Sequence, residues 1–284
     1  MKQNIKTIGL IFLWIFALIG VVFSAVFIAM QFGLFNVPGS IKERNQFFNT
    51  NTTTSPTPHE TPCTDKTKTV CEWNETPEWE AVKGGLQKDA IVITKVANET
   101  GVSPRMIASV VIPEQIRFFT SDREVFKRYF EPLKILGSLS QFSLGVSGIK
   151  QETANTIETN ANDPASPFYP GQGMNTLLQY PAGADHDKEL FNRLTDPKNH
   201  YYSYLYTALY IKEIEAQWQK AGFDISKNPE AVVTLFNIGF QGSRPNANPQ
   251  TAGAQITVGG KTYVFGELGG LFYRSNELSD IFSN

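Results

Sequence analysis

From Thr7 to Ile41 the chain carries no charged side chain, and "IGLIFLWIFALIGVVFSAVFIAM" within that stretch is apolar almost throughout. A helix needs about 20 predominantly apolar residues to cross a bilayer, so this run is long enough. A secretory signal peptide has a shorter apolar region and a small-x-small cleavage site, to which Ala25-Val26-Phe27 is a poor match. The expectation is an uncleaved membrane anchor over residues 1–41. Lys2 and Lys6 precede the run, while Lys42 and Arg44, offset by Glu43, follow it. The positive-inside rule therefore leans only slightly toward a single-pass arrangement with a cytoplasmic N-terminus and an extracytoplasmic bulk.

Residues 42–72 form the next compositional block. "NQFFNTNTTTSPTPHETPCTDKTKTV" is rich in Thr, Asn and Pro and poor in apolar residues. Such a segment cannot bury enough surface to offset its ordering entropy, so a flexible tether is expected. Cys63 and Cys71 bracket "CTDKTKTVC". They form either a small disulfide loop, which fits an oxidising compartment, or two free thiols in the tether.

The block 73–284 is expected to be one mainly α (α+β) domain with a small β-hairpin. "WEAVKGGLQKDAIVITKVANETGV" has helical spacing, with Val82, Leu86, Ala90, Ile91, Ile93 and Val96 repeating and Gly101 closing it. "SPRMIASVVIPEQIRFF" opens with a Ser-Pro start signal, and Pro113 should kink or end that helix before Glu114. "REVFKRYFEPLKILGSL" reads as a further helix despite Pro132. "YYSYLYTALYIKEIEAQWQKAGF" is the longest amphipathic pattern, with Leu205, Ala208, Leu209, Ile211, Ile214 and Trp218 inward, and "PEAVVTLFNIGF" follows. Between these lies a turn-rich excursion, "NANDPASPFYPGQGMNTLLQYPAGADHD". "AQITVGGKTYVF" alternates around Gly259-Gly260, a two-residue hairpin signal.

A net charge of −2 gives no electrostatic footprint for nucleic acid. Of His59, His186 and His200, no two have zinc-protease spacing, and Asp185 to Asp187, "DHD", reads as a solvated loop rather than a metal site. No Gly-x-Ser-x-Gly elbow or phosphate loop is present. What remains is a lone carboxylate, Glu114, in the apolar stretch "SVVIPEQIRFF". A carboxylate beside apolar walls must find a partner, stay protonated or sit at a surface.

Three segments in order resemble the lytic transglycosylase and goose-type branch of the lysozyme superfamily. "MIASVVIPEQIRFF" looks like the family's helix ending in its catalytic glutamate, which maps the acid to Glu114. "GVSGIKQETA", Gly145 to Ala154, has the framing of the family's Gly-Leu-Met-Gln stretch ending in Thr-Ala. "YLYTALYIKEIEAQW" then "AVVTLFNIGF" looks like its long helix followed by Ala-Tyr-Asn-Ala-Gly, placing Asn237 and Gly239 on the motif. The likeness covers roughly residues 103–242. Departures are Gly148 where the family has Gln (with Gln151 or Gln141 as replacements), Phe236 for the motif tyrosine, Gln115 for the serine after the acid, and a longer spacer before Gly145.

The resemblance implies a lysozyme-like domain that cleaves the MurNAc–GlcNAc β-1,4 bond of peptidoglycan without a cofactor or metal. Glu114 would be the general acid and base, in surroundings offered by Val111, Ile112, Phe118 and Phe119. Gly145, Gly148, Gln151, Glu152, Asn237, Gly239 and Tyr273 would lie along the glycan. Transglycosylation, giving 1,6-anhydromuramic ends, needs no second carboxylate. A hydrolytic muramidase would need one, for which Asp122, Glu124 and above all Glu152 are the candidates. Gly148 and Phe236 also leave open a catalytically silent glycan-binding scaffold of a cell-envelope complex.

Overall fold

The computed structural model describes residues 63–120, 143–196 and 198–283, with Trp14, Phe16, residues 18–21 and Ser24 near the N-terminus. By its internal contacts the chain divides into two units, Met1–Gly39 and Ser40–Asn284. In the first, the described positions are helical and exposed. Among the described residues no helix is long and apolar enough to cross a membrane. This corrects the expected anchor over 1–41, and with it the membrane contact, the cytoplasmic N-terminus and the extracytoplasmic placement of the rest. The remainder of the apolar run lies outside the described residues.

Among its described residues the second unit is mainly helical, with two antiparallel hairpins. Helix α1 (Pro77–Lys88) starts on Thr76, whose side chain accepts from the Trp79 amide at 3.3 Å, with Pro77 in the first turn. The single long helix expected here is broken at Asp89, and α2 (Ala90–Thr100) follows. Asp89 is drawn out of helical register by two side chains of a later helix. His200 Nδ1 lies 2.6 Å from its Oδ2, and the Tyr204 hydroxyl donates to the same oxygen at 2.8 Å. Ile91, counted inward from the spacing, is exposed as a consequence, while Ile93 and Val96 are buried. Gly101 ends α2 in the left-handed region at φ +76°.

Helix α3 (Pro104–Thr120) runs on through Pro113, so it does not end before Glu114. Proline removes the N–H that would pair with the carbonyl four residues earlier, that of Ser109. That carbonyl faces Gly269 of helix α8 (Phe265–Arg274), where a β-carbon would sit 2.6 Å from the oxygen. The neighbouring helix's bare backbone thus covers the freed group. The helix expected over 123–139 lies outside the described residues, as do Asp122, Glu124 and Gln141.

Strands β1 (Ser143–Leu144) and β2 (Ile149–Lys150) pair Ser143 with Lys150 around the turn 145–148. Helix α4 (Gln151–Asn162) leads into the excursion, which contains a 3-10 turn at Met174–Leu178. The excursion ends in a helix that the sequence reading missed, α5 (His186–Thr195), capped by Asp185. Helix α6 (Tyr201–Lys220) buries all six residues expected inward. Helix α7 (Pro229–Ile238) and the hairpin β3 (Gln255–Val258) with β4 (Lys261–Val264) match the pattern, with Ile256 facing Tyr263 across the strands.

Helix α8 packs on both α7 and α3. Its Gly266 and Gly270 lie against Glu230, and Gly269 lies against Val233 as well as Ser109. Arg105, 2% exposed at the start of α3, spreads its guanidinium over the carbonyls of Phe272, Tyr273, Ser275, Glu277 and Phe282. A buried cation at a helix C-terminus meets the unpaired carbonyls and the negative end of the dipole together.

Part of the segment expected as a tether is packed. Cys63 and Cys71 are joined by a disulfide and both are buried. The Cys71 amide donates to Gly259 O at 2.7 Å, and Lys261 pairs with Glu72. The nine-residue loop therefore rests on the tip of the β3–β4 hairpin. Residues 42–62 lie outside the described residues.

Candidate active site

Glu114 stands on α3 directly after a turn made of Val110, Val111 and Ile112, each at most 1% exposed. That turn is core because β-branched residues fill all sides of a helix wedged between other helices. Glu114 itself sits at the edge of this core, its side chain 12% exposed. The side chains of Phe118 and Phe119 lie outside what is described.

Arg117 is one turn further along α3, and its side chain is 14% exposed. Its Nη2 donates to Glu114 Oε1 at 2.9 Å and to Oε2 at 2.7 Å. The guanidinium carbon lies 5.9 Å from the centre of the Phe265 ring. Glu114 thus has a charged partner, the first of the three fates open to a carboxylate beside an apolar wall.

The turn between β1 and β2 closes over this carboxylate. Gly145 and Gly148 both have φ +67°, so the turn uses two left-handed positions. A β-carbon on Gly148 would lie 2.5 Å from Glu114 Oε1. No side chain fits there, which gives a steric reason for glycine at this position. Gly145 is equally closed in, by the Leu194 carbonyl and Ser203 Oγ.

Two helices pin the turn. Gln115, next to the acid, donates through Nε2 to the Val146 carbonyl. From α6, Ser203 Oγ accepts from the Val146 amide at 3.0 Å, and the Thr207 and Ser147 hydroxyls lie 2.6 Å apart. Gln115 therefore takes a structural task toward the same turn. Ser203 and Thr207 were not singled out from sequence, since a hydroxyl on the inner face of an amphipathic helix is indistinguishable there from a packed core residue. Arg117 carried a signal that was passed over: an Arg three residues after an acid on a helix is within ion-pair reach.

The remaining expected site residues are distributed as follows. Gln151 is half-buried and Glu152 exposed in the first turn of α4, immediately after β2. Asn237 does not brace the acid through the contact described: its Oδ1 accepts from the Ala254 amide at 2.8 Å, anchoring the approach to β3. Gly239 ends α7 at φ +85°. Phe236, which replaces the motif tyrosine, meets the Tyr210 ring edge-on with centroids 5.1 Å apart. Tyr273 is half-buried on α8, and its carbonyl is held by Arg105 at 2.6 Å. The structure thus brings Gly148 onto Glu114, with Gly145 at the other end of the same turn against Leu194 and Ser203, while Asn237, Gly239 and Tyr273 have their described contacts with other elements.

The four tyrosines in the first two turns of α6 differ in burial. Tyr204 and Tyr206 are core, while Tyr201 and Tyr202 are half-buried. The "DHD" segment is solvent-exposed as expected, but it forms a helix start rather than a loop. Asp185 caps α5, and His186 Nε2 lies 2.7 Å from Glu158 Oε2. The Tyr180 and Tyr206 hydroxyls donate to the other oxygen of Glu158. This bond to Glu158 raises the His186 pKa. Among the described residues no group of three or more His, Cys, Asp or Glu side chains is arranged to hold a metal ion.

No family model matches the chain, and no curated protein or solved structure matches it either.

Proposed function

We propose that the Ser40–Asn284 unit cleaves the β-1,4 bond between N-acetylmuramic acid and N-acetylglucosamine in peptidoglycan, with Glu114 as both acid and base. The observation that carries the reading is the seating of Glu114 beneath the Gly145–Gly148 turn, at the edge of an apolar core. Two sequence segments far apart in the chain, each similar to a lytic transglycosylase motif, meet at one carboxylate.

Glu114 gives its proton to the bridging oxygen as the C1–O bond breaks and positive charge grows on the ring. The muramyl 6-hydroxyl then closes on C1, and its proton returns to Glu114. The products are a 1,6-anhydromuramic end and a free 4-hydroxyl, with no water consumed. The bare backbone of the Gly145–Gly148 turn lets a glycan approach closely, and the Ser203 and Gln115 bonds hold that backbone in place. Glu152, exposed beside the turn, is the residue that a hydrolytic variant of this reaction would employ.

A second reading has one observation in its favour. Arg117 occupies both oxygens of Glu114, as in a purely structural ion pair. A silent glycan-binding module would need no more than that. Incubating purified peptidoglycan with the full chain separates the two. Glu114→Gln keeps the shape and hydrogen-bonding capacity but cannot cycle a proton. Release of soluble muropeptides should fall at least about 100-fold. Binding to intact sacculi, with no release by either protein, would leave the silent module standing.

A further inference from the structure

We infer that Arg117 is a specificity-determining and positioning residue that reads a carboxylate on the glycan and, in doing so, releases Glu114 for proton transfer. The inference rests on the glycosidase reading above.

Each carboxyl oxygen of Glu114 has a close neighbour. Oε1 is overhung by Gly148, whose absent β-carbon would lie 2.5 Å away. A sugar oxygen therefore approaches most easily through Oε2. Yet Oε2 is the oxygen closer to Arg117 Nη2, at 2.7 Å. Each oxygen keeps a second lone pair, but Nη2 bridges both and so stands on the side from which a leaving oxygen would approach Oε2. The ion pair must open before Glu114 can act as an acid.

Separating the pair leaves two charges without partners, which is costly unless an anion takes over the guanidinium and the carboxylate gains a proton from solvent, the proton that Glu114 then delivers. A carboxylate on the substrate supplies that anion. Arginine suits the exchange, because its planar fork binds a carboxylate through two parallel hydrogen bonds. Arg117 and Glu114 are also both partly exposed, at 14% and 12%, so a ligand can reach the pair from solvent. The muramyl unit offers such a group in two places: the lactyl carboxylate at C3, where the peptide has been removed, or the carboxylates of an attached stem peptide. A neutral glycan of the same linkage has neither and would leave the pair closed.

Three tetrasaccharides test this with the full chain: alternating GlcNAc–MurNAc with free lactyl carboxylates, the same with those groups amidated, and the same carrying stem peptides. Affinity is read by calorimetry and cleavage by chromatography, for wild type, Arg117→Gln and Arg117→Lys. Wild type should prefer a carboxylate-bearing form over the amidated one by about tenfold or more in both readouts. Preference for the free lactyl form identifies denuded glycan as the source of the anion, and preference for the peptide form identifies the stem. Arg117→Gln should lose the preference from both sides, binding the carboxylate-bearing forms no more tightly than the amidated one and cleaving the amidated one faster than wild type does, because its Glu114 no longer has to be released. Arg117→Lys should restore part of it.

Equal handling of all three ligands by wild type and Arg117→Gln overturns the inference while leaving the glycosidase reading intact. Uniform loss on all three in both variants overturns it too, because it assigns Arg117 a merely structural role. If wild type cleaves none of them yet binds the carboxylate-bearing forms more tightly through Arg117, the recognition stands and the glycosidase reading falls.

Discussion

The most instructive single residue outside the candidate site is Glu213. It lies in the middle of α6, fully buried, with neither carboxyl oxygen hydrogen-bonded among the described residues. Burial, offset only slightly by the nearby Asn160 amide, pushes its pKa up to about 8 from an ordinary 4.5. The folded state therefore keeps a proton that the unfolded chain releases. Stability from this group is fully present below pH 4.5 and is lost as pH rises toward 8. The effect is on the order of a few kcal/mol. His200, raised by its bond to Asp89, acts in the same direction, but it is shared by any Glu213 variant. Melting temperature followed from about pH 5 to pH 8 should fall for wild type and fall less for Glu213→Gln. Parallel curves would mean that Glu213 is solvated in the folded state. No sequence pattern announced it: Glu213 falls between Ile211 and Ile214, and a charged residue there reads as a solvated face.

At the scale of elements, legibility followed chemistry with a fixed period. Helices α6 and α7 and the β3–β4 hairpin announced themselves because their apolar residues repeat at 3.6 or 2 and their ends carry Pro, Asn or Gly signals. Helix α8 did not. "FGELGGLFYR" holds Gly266, Gly269 and Gly270, and glycine lowers helix propensity by about 1 kcal/mol each. Those glycines are there for packing, since each meets another helix where a β-carbon would go. The same contact explains why the helix does not end at Pro113, whose freed Ser109 carbonyl is covered by Gly269. A test follows at this interface. Gly269→Ala, which would gain propensity in an isolated helix, should instead cost about 1–3 kcal/mol here. Chemical denaturation gives the value directly, and a neutral or stabilising result would show that α8 stands further from α3 than described. The break at Asp89 was illegible for a related reason, as its partners His200 and Tyr204 are more than a hundred positions away.

For the Ser40–Asn284 unit as a whole, the sequence conveyed a mainly helical body and brought Glu114 and the 145–148 turn to notice through motif likeness. It did not convey what holds the ends in place. The C-terminal residues are tied to α3 by Arg105, and the entry to the domain is tied to a hairpin about 190 residues later by the Cys63–Cys71 loop and the Glu72–Lys261 pair. These long-range contacts leave no trace in local composition, and residues 63–72 consequently read as part of a tether. Replacing both cysteines with serine should lower stability by about 2–3 kcal/mol, the loop-closure contribution for a bridge this short. Glu114-dependent activity should be kept at temperatures where the variant remains folded. Loss of activity without loss of stability would place the loop at the glycan instead.

The central claim is that one carboxyl group, Glu114, performs the whole reaction. Mass spectrometry of peptidoglycan fragments released by the full chain in water enriched with oxygen-18 addresses it most directly. The account predicts muramyl ends lighter by one water, free of the heavy isotope, and absent with Glu114→Gln. Reducing ends that carry oxygen-18 would contradict it, because water activated by a second group such as Glu152 would then have attacked the sugar.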